Sequence, residues 1–555
     1  MNKKVLMATA LMFMSVGAAK AQKADFSYFK YTGNDSRFDK KIDRNNQYLN
    51  PIMAGFYPDP SICRKGDTYY LVNSSFSFFP GVPISTSKDL VNWKQMGFVL
   101  DRQSQLPLGR QKVSGGIFAP AITYNKKNKT FYMITTNVGM GNFFVKTKDP
   151  AKGWSEPIIL PHVVGIDPSF CFDDNGKAYI VNNDEPVGGH DWVGERSIVC
   201  HEFSVKGDST VGPSREILRG GTHLENHPIW IEGPHMFKYN GFYYLMCAEG
   251  GTGSWHSEVI LRSKNPFGPF ESYSGNPILT QRQGLDPNRP DFVSSAGHAD
   301  IVQTPNGQWW AVFLGCRPYE EDFYNTGRDT YLLPVTWKNG WPVILESGKA
   351  IPTVNNKKGL QPTENYNTGN FSYEDNFGTD NLNIRWIFLR NPKNKFYSLG
   401  SDGLTIDPQP VNISQSESPS AIFCRQQHTT FTAETELTYM PSSSKDLAGL
   451  ALLQNEQYNF VFGKTKKGND VMITLQRSEK TNVTVASVKL SAEDAQKPLK
   501  LKVSGNGRYY DFFYAVGNGP WQTLALGTDA INLSTGRSGG FIGACIGLYA
   551  TSANE

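Results

Sequence analysis

The chain has 555 residues, which exceeds one ordinary domain and predicts two, or at most three. Aromatic residues make up 13% of it, together with 53 glycines and 33 prolines, a composition that favours strands joined by tight turns. The formal net charge is only +4 and the sequence has no dense Lys/Arg patch, so nucleic acid is not an expected partner.

The first residues have the pattern of an export signal. Lys3 and Lys4 precede an apolar run over residues 5–19, and residues 19–21 form a small-x-small cleavage site. The sequence therefore predicts a signal peptide over residues 1–21 and a mature protein in the periplasm or outside the cell. A membrane anchor is the weaker alternative, because the run is shorter than the ~20 apolar residues that a spanning helix needs.

The seven cysteines are widely spaced, and no two of them form a CxxC pair. This odd number and wide spacing argue against a zinc site and against a disulfide scaffold. Most of the cysteines have apolar neighbours, as small core residues do. The sequence leaves disulfide pairing and oligomeric state open.

One strand–turn–strand pattern recurs five times between residues 51 and 320. Each copy has a polar or proline-containing turn, an apolar strand start and, about ten residues later, an aromatic-rich strand. The copies begin at Asp59-Pro60, Ala119-Pro120, Asp167-Pro168, Gly233-Pro234 and His298-Ala299. Five such units predict a five-bladed β-propeller over residues 51–350, in which the inner strands surround one axis and their starts converge.

That convergence predicts a cluster of acids at the axis. Asp59, Asp167, Glu232 and His298 stand at or beside equivalent positions, so we expect them to be neighbours. An Asp before a Pro is common in turns and would explain any one of these acids alone, but three favour a functional cluster. Crowded carboxyl groups can stay in opposite protonation states, as glycoside hydrolysis requires. The same acids could also bind a metal.

Beyond residue 320 the repeat stops. Residues 351–372 are rich in Asn, Thr, Gly and Lys and predict a linker, and alternating strands over residues 373–555 predict a separate β-sandwich. Residues 22–50 are interpreted as an N-terminal leader. The predicted fold class is therefore all-β, a five-bladed propeller followed by a sandwich.

Several segments follow one another in an order typical of a known family. They are GFYPDPSI at 55–62, SFSFFPGV at 75–82, SKDLVNW at 87–93, GIDPS at 165–169, IEGPH at 231–235 and GHA at 297–299. Together they resemble glycoside hydrolase family 43, in its α-L-arabinofuranosidase and β-xylosidase type. The resemblance runs from about residue 50 to the chain end, since members of this type carry a concanavalin-like C-terminal sandwich.

The resemblance implies roles for the three acids. Asp59 would be the general base that activates water, Glu232 the general acid, and Asp167 the residue that orients Glu232 and raises its pKa. Because the family inverts configuration, base and acid should lie about 6.5–9.5 Å apart. Families 32 and 68 are five-bladed retaining relatives, but their first acid stands in an Asn-Asp-Pro-Asn setting that this chain lacks.

The resemblance also implies residues of a sugar pocket. Phe76 and Phe118 match lining positions, although many relatives have Trp in place of Phe118, and either ring could belong to ordinary core. Arg328 matches an arginine that hydrogen-bonds the terminal sugar, with a surface salt bridge as the alternative. His298 matches an axial histidine that meets a calcium ion or its waters in some relatives, or else a buried core histidine. Phe541 would reach the pocket from the sandwich, or lie in the sandwich core.

These implications predict an exo-acting, inverting hydrolase that releases terminal α-L-arabinofuranose from hemicellulose side chains of xyloglucan, arabinoxylan or arabinan. Its partner is an oligosaccharide or polysaccharide, with no required cofactor, no nucleic acid and no membrane span. The resemblance implies one possible metal, a structural calcium near His298. The alternatives are a β-D-xylosidase or dual enzyme, a non-catalytic carbohydrate-binding propeller, and a propeller for protein interaction.

Overall fold

The computed structural model describes residues 22–282, 284–360 and 368–552. The predicted signal peptide lies outside the described residues, and so do positions 361–367 of the predicted linker. The described helices are the short α-helix Thr535–Ser538 and the 3₁₀ helices Ser36–Phe38, Pro150–Lys152, Leu224–Asn226, Asp494–Gln496 and Ile531–Leu533. None of these described helices has the length and apolar character needed to cross a lipid bilayer.

Five blades of antiparallel strands surround one axis over residues 61–343. From the axis outward, the first blade consists of Ser61–Lys65, Thr68–Val72, Gly81–Ser87 and Lys94–Leu100, and the second of Ile117–Asn125, Thr130–Asn137, Gly141–Thr147 and Ile158–Ile159. The third consists of Ile166–Phe172, Ala178–Asp184, Ser197–Ser204 and Ser209–Arg219, and the fourth of Glu232–Tyr239, Phe242–Glu249, Ser257–Ser263 and Glu271–Ser272. The fifth consists of Ser294–Gln303, Trp309–Cys316, Arg328–Lys338 and Trp341–Val343. In the fourth blade, Leu279–Thr280 also pairs with the third strand. The first strands of neighbouring blades pack side by side, and the fifth blade packs against the first, which closes the ring.

The segment ahead of the first blade also joins it to the fifth. Met53 exchanges two backbone hydrogen bonds with Thr330, and the side chains of Tyr48 and Asn50 donate to the Leu332 carbonyl oxygen at 2.8 and 2.9 Å. Apolar side chains of this segment and of both blades form one buried cluster. A short ribbon of Gln47–Leu49 with Val354–Asn356 continues the join. The segments that precede and follow the five blades in the sequence therefore help to hold the fifth blade against the first.

Two antiparallel sheets form the second domain. The first has the strand order Tyr397–Gly400, Gly403–Ile406, Ala24–Gly33, Thr430–Thr438, Leu499–Asn506, Tyr509–Val516 and Gln522–Asp529, with Ser372–Asp375 also paired to Ala24–Gly33. The second has the order Ala421–Arg425, Cys545–Thr551, Leu447–Asn455, Tyr458–Lys467, Asp470–Glu479 and Thr481–Lys489. Apolar residues of both sheets form one core between them.

The strand Ala24–Gly33 precedes the propeller in sequence but lies inside the sandwich. Its buried side chains Phe26, Phe29 and Tyr31 belong to the sandwich core. The segment 22–50, interpreted above as a leader, thus starts as a strand of the second domain and then crosses to the propeller. The first and last strands of the described chain therefore lie in the same domain, in opposite sheets of the sandwich.

The two domains meet over the first, second and fifth blades. Strand Phe78–Phe79 pairs with Phe388–Leu389 of the second domain. The completely buried Arg390 donates its backbone N–H to the Ser77 carbonyl at 2.7 Å and its guanidinium to the Gln111 carbonyl at 2.6 Å. These bonds dock the sandwich on the propeller. The predicted architecture, a five-bladed propeller followed by a β-sandwich, is confirmed.

Candidate active site

The turn or bulge at or near the start of each of the five inner strands contains one residue with a positive φ angle. The φ angle is +50° at Asp59, +35° at Ala119, +56° at Asp167, +54° at Gly233 and +51° at His298. Non-glycine residues seldom adopt left-handed φ angles, and such strain concentrates at functional sites. The shared conformation shows that the aligned positions are structurally equivalent.

These turns surround a cavity of about 160 Å³. It is lined by Asp59, Phe76, Phe118, Ala119, Ile166, Asp167, Trp230, Glu232, Gly251, Thr252, His298, Arg328 and Phe541. The structure therefore brings every site residue named from the sequence into one place. Trp230, Gly251 and Thr252 were not anticipated, because they lie in loops outside the repeated turns, where the pattern carries no signal.

The carboxylate of Asp59 is held by a buried cation. Arg328 donates from Nη1 to Oδ1 at 2.7 Å and from Nη2 to Oδ2 at 3.4 Å, and Ser74 Oγ donates to Oδ2 at 2.6 Å. Burial alone would raise the pKa of Asp59, but the Arg328 guanidinium, with the hydrogen bond from the Ser74 hydroxyl, outweighs it and holds the pKa below its ordinary value. Asp59 is therefore ionised. The role of Ser74 could not be read from the sequence.

Glu232 and Asp167 are buried next to each other and favour the protonated form. Burial raises the pKa of Glu232 well above its ordinary value, and the charges of Asp167 and Asp59 raise it further. The pKa of Asp167 rises to about 7, chiefly through burial and then through the charge of Asp59. Asp167 Oδ2 accepts a hydrogen bond from the Gly233 N–H at 3.0 Å, which fixes it beside the Glu232 backbone. The cavity thus holds an ionised and a protonated carboxyl group together.

The imidazole of His298 packs against Gly233, where an added Cβ would lie 2.8 Å from Nε2. His298 Nδ1 lies 3.7 Å from Asp59 Oδ1, and burial lowers the pKa of His298 to about 3, so the ring is neutral. Calcium takes about six to eight oxygen ligands. The described part of the chain has no group of three or more His, Cys, Asp or Glu side chains that could hold a metal. The calcium implied by the resemblance stays a prediction.

Three phenylalanines form one side of the cavity. Phe76 stacks on Phe541 with ring centroids 6.0 Å apart, and Phe118 meets these two rings edge-on at 5.3 and 5.6 Å. Phe541 belongs to the sandwich, and its N–H donates to Ser114 Oγ of the propeller at 2.9 Å. The second domain therefore supplies part of the cavity wall.

Both domains resemble known proteins. The model "Glycosyl hydrolases family 43" matches residues 48–342, and "Beta xylosidase C-terminal Concanavalin A-like domain" matches residues 374–555. The chain is 38% identical over 514 residues to a "Xylosidase/arabinosidase" of Butyrivibrio fibrisolvens, covering 91% of this chain and 95% of that relative. It is 34% identical over 521 residues to "Non-reducing end alpha-L-arabinofuranosidase BoGH43B" of Bacteroides ovatus, covering 92% of each. A solved structure of "a GH43_12 retrieved from capybara gut metagenome" superposes with a TM-score of 0.89 at 43% identity, covering 95% of this chain and 99% of that one.

Proposed function

The chain belongs to glycosyl hydrolase family 43, and from this premise we propose that it is an exo-acting, inverting enzyme that releases terminal α-L-arabinofuranose from hemicellulose side chains. The observation that carries the proposal is the division of charge within one small cavity. Asp59 is ionised beside Arg328, whereas Glu232 is buried with its pKa well above the ordinary value. A glycosidase needs its base and its acid in these two states.

In the proposed reaction Asp59 accepts a proton from a water molecule, and the water oxygen attacks the anomeric carbon. Glu232 gives its proton to the leaving oxygen as the glycosidic bond breaks. This single displacement inverts the anomeric configuration. Arg328 and Ser74 orient the Asp59 carboxylate through their hydrogen bonds, and Asp167 keeps Glu232 protonated and in place.

The size and closure of the cavity support action on a terminal sugar. Its volume of about 160 Å³ is well below the roughly 300–1,000 Å³ of pockets for drug-sized ligands, so it favours one sugar ring. Phe541 of the sandwich closes one side, where a continuing polysaccharide would otherwise pass.

A β-D-xylosidase or a dual enzyme is the second candidate. The relative from Butyrivibrio fibrisolvens is named for both activities, and the relative from Bacteroides ovatus is named as an arabinofuranosidase. Release of an arabinose unit is common to the two names, which supports an arabinose-releasing enzyme as the first candidate. Both sugars are pentoses with similar hydroxyl groups, so an assay must decide between them.

The assay compares kcat/KM on 4-nitrophenyl α-L-arabinofuranoside and 4-nitrophenyl β-D-xylopyranoside. We expect the arabinofuranoside to be the better substrate. A clear preference for the xyloside would overturn the choice of sugar, and similar values would establish the dual enzyme. Turnover of neither substrate, together with binding of their sugars, would support a non-catalytic carbohydrate-binding propeller. Product analysis on arabinoxylan, arabinan and xyloglucan oligosaccharides then identifies the polymer.

A further inference from the structure

The two sides of the cavity opening differ. On one side the sandwich covers the propeller, with Phe541 bonded to Ser114 and the Ala544 N–H donating to the Asn325 carbonyl at 2.7 Å. On the side of the third and fourth blades, the described residues of the sandwich make no comparable cover, and propeller loops form the surface. A substrate that extends beyond the cavity must leave it on this second side.

Strand direction places three loops of the third and fourth blades at this opening. Each inner strand starts at the cavity, so the second and fourth strands of a blade end on the same face. The loops over residues 185–196, 220–231 and 250–256 leave the ends of such strands. All three therefore lie on the face that carries the cavity.

These loops expose large apolar side chains: Val187, Val193, Leu224, Ile229, Trp230 and Trp255. The exposed fraction is 38% for Trp230 and 63% for Trp255. A cluster of exposed apolar side chains on one surface marks a binding site more often than scattered ones do. We call Trp230 and Trp255 the tryptophan rim.

The tryptophan rim is continuous with the cavity. Trp230 lines the cavity itself, and a Cβ added to Gly251 would lie 3.7 Å from its ring. The Gly250 N–H donates to the Ile229 carbonyl at 2.8 Å, which joins the loop of Trp255 to that of Trp230. The surface thus runs outward from the cavity along two bonded loops.

Each ring of the rim is backed by an arginine. The guanidinium of Arg196 lies 5.0 Å from the ring centroid of Trp230, and that of Arg282 lies 5.6 Å from that of Trp255. Arg196 is held by the Asn183 side chain at 2.9 Å, and Arg282 donates to the Trp255 carbonyl. Such contacts restrict the rings before any ligand arrives, which lowers the entropy cost of binding.

The position of Glu232 shows on which side of the cavity the tryptophan rim lies. The general acid must lie on the side of the leaving oxygen, and Trp230 stands two residues before Glu232 on the loop that leads into the same strand. Asp59, by contrast, is bonded to Arg328, which also donates to the Phe541 carbonyl on the sandwich side at 3.4 Å. The rim is therefore on the leaving-group side of the cavity.

We propose that the tryptophan rim is a leaving-group subsite that binds the polysaccharide main chain, a series of β-1,4-linked pyranose rings, while the terminal side-chain sugar occupies the cavity. This rests on the proposed function, because it takes Glu232 as the acid. The apolar C–H faces of pyranose rings pack on indole rings, while their hydroxyl groups stay in water. Rim contacts select the polymer, and the cavity selects the sugar.

The first test compares Trp255→Ala with Trp521→Ala, a control tryptophan of the sandwich that is 38% exposed. The readout is the ratio of kcat/KM on an arabinofuranose-branched oligosaccharide to kcat/KM on the aryl arabinofuranoside. We expect Trp255→Ala to lower this ratio about tenfold, mainly through KM on the oligosaccharide, and Trp255→Phe to recover part of it. Trp521→Ala should keep the wild-type ratio. Equal ratios in all variants would overturn the proposal.

The second test measures binding without turnover. Calorimetry with linear xylohexaose and cellohexaose distinguishes a xylan from a glucan main chain, and the Glu232→Gln background prevents a xylosidase activity from consuming the xylohexaose. In that background we expect the intact rim and Trp521→Ala to bind one of the two hexaoses, and Trp255→Ala to bind it at least fivefold more weakly. Binding with no pentoside turnover would reject the proposed function and keep the rim as a carbohydrate site. Turnover with no binding of either hexaose would reject the rim alone.

Discussion

The acids and the aromatic rings of the cavity are positioned by different parts of the fold. Asp59, Asp167 and Glu232, here called the acid floor, stand at or beside equivalent turns of inner strands. Phe76, Phe118 and Phe541, here called the aromatic wall, come from a loop, a strand and the second domain. Catalysis requires a precise spacing of the carboxyl groups of the acid floor, which are attached to the rigid ring of strands. The side chains of the aromatic wall can be exchanged without disturbing that ring of strands.

The largest expected effect comes from the acid floor. Asp59→Asn and Glu232→Gln should each lower kcat by about a hundredfold or more, since each removes a proton transfer. Glu271→Gln, on the exposed outer strand of the blade that carries Glu232, is the matched control and should keep wild-type turnover. Circular dichroism melts check that the variants fold. Near-normal turnover of either variant would remove the role assigned to that residue.

A smaller effect is expected from the aromatic wall. Phe541→Ala removes the ring that stacks on Phe76 and meets Phe118, so KM for the aryl arabinofuranoside should rise about tenfold with a smaller change in kcat. Phe513→Ala, in a sandwich strand away from the cavity, is the control. Steady-state kinetics measure both. An unchanged KM would show that the second domain contributes no binding energy.

The pH profile of activity tests whether the charge of one residue of the acid floor shifts the pKa of another. Wild-type kcat/KM should fall at acid pH as Asp59 gains a proton and at alkaline pH as Glu232 loses one. Asp167→Asn removes a negative charge that raises the pKa of Glu232, so the alkaline limb should move to lower pH while the acid limb stays. Asp174→Asn, an exposed acid of the same blade, should leave both limbs in place. An unmoved alkaline limb would contradict the coupling.

The smallest expected effect is on stability. Because the pKa of Glu232 is raised in the folded protein, its contribution is fully present below the unfolded pKa of about 4.3 and is lost as pH rises through the folded pKa. Glu232→Gln should therefore raise Tm by about 1–3 °C at mildly alkaline pH and leave it unchanged near pH 4. Calorimetry at the two pH values measures this. A gain of the same size at both would point to another cause.

The acid floor could be predicted because its turns repeat. Asp59 and Asp167 occupy matching places in a pattern that is visible in the chain, Glu232 stands beside a third such place at Gly233, and a propeller brings these places to one axis. The pattern does not say which cation meets which acid. The bond between Arg328 and Asp59 depends on the closure of the fifth blade on the first, so the residues alone could not show it.

Two other features could not be predicted from the sequence, because a local pattern does not show which distant residues it will contact. Strand Ala24–Gly33 has an ordinary strand pattern, but its partner Thr430–Thr438 lies far along the chain, and alternation of side chains does not name a partner. Trp230 and Trp255 lie in loops outside the repeated strand–turn–strand segments. Their place near the cavity follows only from the direction of the strands that they connect.

The central claim is that Asp59 and Glu232 act from opposite sides of one terminal sugar, with a water molecule as the nucleophile. NMR of the sugar anomer that is first released from the aryl arabinofuranoside tests it most directly. A single displacement predicts that the β-anomer appears first from the α-linked substrate and then equilibrates. Initial release of the α-anomer would mean a covalent intermediate on one of these acids and would contradict the account.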